Sequence, residues 1–183
     1  MKQTFCLIPL LLSPQLVFPQ DQPPASVCRP ETKYDRVADR TTVQCDLIEQ
    51  VTATGRLIVR AGASFQGKEL KESAQFWFSL ASYKGAAVRR TPPSFKEATT
   101  LYLTVDSARL EVPIKDYRND FFELNRMLAE QARAEIGRED LQKLVSAKRL
   151  EGKWGGGEFK FSDGALASLK YFISRQAITA NSR

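Results

Sequence analysis

Histidine, the residue most often used for proton transfer near neutral pH, is absent from this chain of 183 residues. Without imidazole a serine or cysteine nucleophile lacks its usual base, and His-containing zinc sites and switching near pH 6 are excluded with it. Carboxylates remain, as the pair Glu139-Asp140 and around Asp116 and Asp120. Glycoside hydrolysis needs two carboxylates facing each other across a cleft, a relation that closeness in sequence does not establish. Glu139-Asp140 has a sufficient explanation as the first turn of a helix, where negative charge meets the positive end of the dipole. Gly155-Gly156-Gly157 would expose backbone N–H groups to a phosphate, but the alternating run Glu158-Phe159-Lys160-Phe161 follows where a phosphate loop requires Lys-Ser/Thr and a helix. A hairpin turn is the better reading. No serine stands in a Gly-x-Ser-x-Gly elbow, and a carboxylate-only metal site has no loop signature here. The expectation is a protein that is not an enzyme and holds neither metal nor cofactor, with a His-free hydrolase using carboxylates as the enzymatic alternative.

Residues suited to binding are easier to find. Arg89-Arg90, followed by Pro92-Pro93, reads as a basic tip on a surface loop, and Trp77 and Tyr83 share one face of an aromatic-rich strand. Arg89, Arg90, Trp77 and Tyr83 are therefore the candidate partner-binding residues. The net charge of +6 is spread among interleaved acids and bases, which gives weak attraction to polyanions without a dedicated nucleic-acid site. The expected partner is another envelope protein or an anionic polymer: polysaccharide, lipid or nucleic acid.

The N-terminus supplies an address. Met1-Lys2 precedes an apolar run from Phe5 to Leu12, resumed at Leu16-Val17-Phe18 and interrupted by Pro9 and Pro14. That is the pattern of a secretory signal over 1–19, too short and broken for a comfortable membrane span. The mature chain is then expected to carry no transmembrane helix and to be periplasmic or secreted. Removing Cys6 with the signal leaves Cys28 and Cys45, and two cysteines in an exported chain are most simply a disulfide. Closing a loop of that size contributes roughly 3 kcal/mol in the chain-entropy account.

The elements that must position these residues are mostly strands. After a Pro-rich linker over 20–33, alternation marks strands over Thr41–Gln50, Arg56–Gln66, Gln75–Lys84, Thr99–Val105 and Ala108–Ile114, with Pro113 reading as an edge or an end. Glu123 to Ile136 allows a strand, but its Ala, Glu, Leu, Met and Arg content favours helix. A second helix, from Glu139, precedes the Arg149–Phe161 hairpin, and a third starts behind Ser162 as N-cap. The expected fold is a single α+β domain over 34–177 with a polar tail over 178–183. Its largely antiparallel β-sheet of about five to seven strands is packed on one face by C-terminal helices, ending helix–β-hairpin–helix. An exported, strand-rich chain with such an ending is similar to small bacterial envelope proteins.

Overall fold

A computed structural model of the chain describes residues 28–52, 55–69, 74–84, 95–122 and 127–181. The expected signal segment and most of the expected linker lie outside them. The elements are β1 (Glu31–Asp35), β2 (Arg40–Thr52), β3 (Gly55–Gln66), β4 (Gln75–Lys84), β5 (Thr100–Val105), β6 (Ala108–Phe122), β7 (Met127–Ile136), α1 (Arg138–Ser146), β8 (Leu150–Trp154), β9 (Gly157–Lys160) and α2 (Asp163–Asn181). The strands form one sheet in the order β1-β2-β3-β4-β7-β6-β5-β8-β9, and every pairing is antiparallel. β1 starts at Glu31, inside the stretch expected as linker, and α2 runs on to Asn181 through most of the expected tail.

The expected fold class is corrected. The molecule is mostly antiparallel β, a nine-stranded curled sheet with two helices among the described residues, not an α+β sheet of five to seven strands under a helical layer. The hairpin β8–β9 is not part of a separate helix–hairpin–helix ending, because β8 pairs with β5 and the hairpin becomes one margin of the sheet. Curling lets the sheet bury much of its own apolar face. A single cluster joins Leu80, Ala132 and Ala134 to Leu103, Val112 and Trp154 from the other half of the sheet.

Two local features accompany the curl. β6 changes partner along its length: Ala108–Pro113 pairs with β5, and from Ile114 onward the strand pairs with β7, with a register shift between Ile114 and Asp116. Pro113 sits at that handover. A residue with no N–H costs little where one ladder ends and the next begins, and a bulge there bends the strand. Pro113 thus neither ends the strand nor marks a sheet edge, contrary to expectation.

The second feature is β7, expected as helix and found as strand. Leu128, Ala132, Ala134 and Ile136 alternate, and β4 and β6 flank the strand on both sides. Small alanines suit a strand in the middle of a strongly curved sheet, so cross-strand packing overrides a helical composition.

The helices close one end of the curled sheet. Leu166, Leu169, Phe172 and Ile173 of α2 are buried in the core, with Phe172 edge-on to Phe76 at 6.5 Å and Phe161 edge-on to Phe78 at 6.3 Å. Ser162 caps α2 as expected, its Oγ accepting from Ala165 N at 3.2 Å. The Cys28–Cys45 disulfide fastens the start of the described chain to β2 at a Cα–Cα distance of 5.8 Å.

Candidate functional site

The two margins of the sheet come together on one side of the molecule without pairing. β1 covers β2 only as far as Gln44, whereas β2 continues to Thr52. From Ile48 to Gln50 the partner of β2 among the described residues is β3 alone, and Leu47 stands at a register shift in that ladder. At the other margin β9 pairs only with β8. A cavity of about 1030 Å³ is lined both by Leu47–Gln50 and by Glu158–Lys160, and also by Thr104 of β5, Glu151–Lys153 of β8, the N-cap Ser162 and Ala165 of α2. A second recess of about 340 Å³, lined by Lys84 and Phe95, shares Gln50 and Glu158 with the first. The two therefore adjoin.

The ladder geometry shows which backbone groups face the opening. Phe161 N donates to Leu150 O at 3.0 Å, which makes Leu150 and Phe161 a hydrogen-bonded pair. Such pairs alternate along an antiparallel ladder. Phe159 therefore turns its main-chain N–H and C=O toward β8, while Glu158 and Lys160, opposite Lys153 and Glu151, turn theirs away from it. Side chains sort the other way. Phe159 is buried with its ring laid over Gly152, its cross-strand partner, and Glu158 and Lys160 are exposed.

Electrostatically the larger cavity is balanced. Glu49, Glu151 and Glu158 are matched by Arg109, Lys153 and Lys160, and several of these pair with one another: Lys153–Glu158 at 3.0 Å and Lys160–Glu151 at 3.2 Å. Hydrogen bonds from Arg149 and Lys160 hold the Glu151 carboxyl below the usual carboxylate range. That is the opposite of what a general acid needs.

The smaller recess sits beside a buried polar cluster that composition did not reveal. Glu130 points inward from β7 and is fully buried. Its Oε1 accepts from Phe95 N at 3.0 Å and Tyr117 Oη at 3.1 Å, and its Oε2 pairs with Lys84 Nζ at 3.2 Å. Burial, with the Glu130 charge and hydrogen bond, pushes the Tyr117 phenol up to about 12. Lys84 Nζ lies 5.3 Å from the centroid of the Phe95 ring, which stacks on Trp154 at 4.0 Å. One carboxylate thus fastens the described residues on both sides of 85–94. The signal for Glu130 was a lone acid on the inward parity of a strand, visible only once 127–136 is read as strand.

Two of the four residues expected to bind a partner, Trp77 and Tyr83, fall among the described residues. Arg89 and Arg90 lie outside the described residues. Trp77 is only 6% exposed: its ring lies over Gly62, its cross-strand partner, and the Arg133 guanidinium covers it at 4.6 Å. Burial pulls Arg133 below its ordinary pKa. Tyr83 is half-buried opposite Arg56. The gap between β2 and β9 was not foreseen, because it depends on which strands end up at the margins. Among the described residues no group of His, Cys, Asp and Glu is placed to hold a metal, and no helix is long and apolar enough to cross a membrane. Set against models of known protein families, curated proteins and solved structures, the chain matches none.

Proposed function

We propose that the protein is a nonenzymatic binding module acting outside the cytoplasm, in the periplasm or after secretion, and that its binding surface is the groove between β2 and the β8–β9 hairpin. The observation that carries this reading is the pair of adjoining recesses flanked by two sheet margins. The disulfide supports the compartment, since such bonds persist where thiols are not kept reduced. The equal numbers of acids and bases around the larger cavity favour a protein partner over an anionic polymer, which would need a surplus of cations.

Site-specific photo-crosslinking in the native cell tests this reading. A crosslinking residue at Thr104 or Lys153, on the groove, is expected to yield a discrete adduct. The same residue at Val37, fully exposed in the turn between β1 and β2, is expected to yield none. Equal labelling from all positions, or none from the groove, refutes the proposal.

A further inference from the structure

Resting on the groove just proposed, we infer that its occupant is an extended segment of a partner polypeptide, bound as an added β-strand between β2 and β9. A sheet margin offers a row of main-chain donors and acceptors, and strand addition uses them for affinity. Here the N–H and C=O groups of Glu158 and Lys160 turn away from β8, and no other strand pairs with that side of β9 among the described residues. Across the cavity Ile48–Gln50 of β2 pairs with β3 alone among the described residues, so alternate residues there also turn main-chain groups toward the opening. Four residues of β2 and three of β9 line the opening, so a segment of about three to four residues, roughly 10–13 Å at strand rise, spans it.

The lining also states what such a segment carries. On the inner side Phe159 is buried and Ile48 lies half-buried opposite Val59. On the outer side Glu49, Glu158 and Lys160 are exposed. Successive side chains of a strand point to opposite faces, so the inserted segment alternates apolar residues inward with polar or charged ones outward. The charge balance of the lining selects neither sign.

The probe is a phage-displayed library of linear octapeptides, panned on the full-length mature protein, with the enriched sequence resynthesised. Enriched peptides are expected to alternate in polarity. N-methylation of alternate peptide amides is expected to weaken binding more than tenfold in either phase, because one set of amides bonds to β9 and the other to β2. Glu158→Pro and Lys160→Pro, which remove outward donors while sparing the bonds to β8, should each weaken binding at least tenfold, whereas Glu158→Ala stays within about twofold. Circular dichroism and melting temperature report whether the proline variants fold, and the N-methyl series stands independently of them. Insensitivity to N-methylation overturns strand addition but leaves the binding module standing if groove crosslinks still form. Failure to enrich any peptide overturns strand addition, and loss of the groove crosslinks as well removes both. Self-association of the protein that an enriched peptide displaces would assign the groove to a second copy and overturn a foreign segment.

Discussion

Glu130 shows how one residue sets the terms for its surroundings. A carboxylate with no solvent exposure must be matched by donors, and Lys84, Tyr117 and the Phe95 N–H converge on it. Replacing it by Gln removes the countercharge of a largely buried lysine and sets an amide N–H₂ against existing donors. Glu130→Gln is expected to cost about 2–4 kcal/mol in denaturant unfolding, and the Tyr117 phenol should titrate closer to 10 in an ultraviolet absorbance titration. In the wild type the raised phenol favours the fold below pH 10, and that contribution is lost as pH rises from about 10 to about 12, because the unfolded chain gives up its proton first. An unchanged Tyr117 titration in the variant would contradict the cluster. The disulfide was legible from cysteine counting once Cys6 is assigned to the expected signal, but Glu130 was not: in ELNRMLAEQARAEI it resembles any surface acid of a helix, and only strand parity turns it inward.

At the scale of elements, two strand pairs place an aromatic ring directly over a glycine. Trp77 lies over Gly62 between β3 and β4, and Phe159 over Gly152 between β8 and β9. A Cβ at Gly62 would stand 2.0 Å from the indole, and one at Gly152 would stand 2.2 Å from the phenyl ring. Gly62→Ala and Gly152→Ala are each expected to destabilise by about 1–3 kcal/mol, as overpacking does. Gly67→Ala, with nothing near its Cβ but a φ of +78°, is strained by its backbone instead. Melting curves showing no loss at Gly62 and Gly152 would mean that the rings do not need these positions. Most strands were readable because alternation is local, and so was the hairpin at Gly155-Gly156-Gly157, with Gly155 at a φ of 54°. β7 was misread for the complementary reason. Its intrinsic preference points to helix, and what makes it a strand is pairing with β4 and β6.

For the whole molecule, the number of strands and the closure of the sheet were out of reach of periodicity. β8 pairs with β5 across the intervening β6, β7 and α1, and β4 pairs with β7 rather than with its successor. Such pairings are set by which apolar faces can be buried together, a property of the assembled core rather than of any window of sequence. The proposed groove is a consequence of that closure being incomplete between β2 and β9.

Amide hydrogen exchange along β9 in the purified protein alone tests this account most directly. An open margin predicts alternation, with Phe159 and Phe161 protected by their bonds to β8 while Glu158 and Lys160 exchange at rates close to those of unstructured peptide. Uniform protection of all four would show that a strand already covers this margin, and would contradict a groove open to a partner.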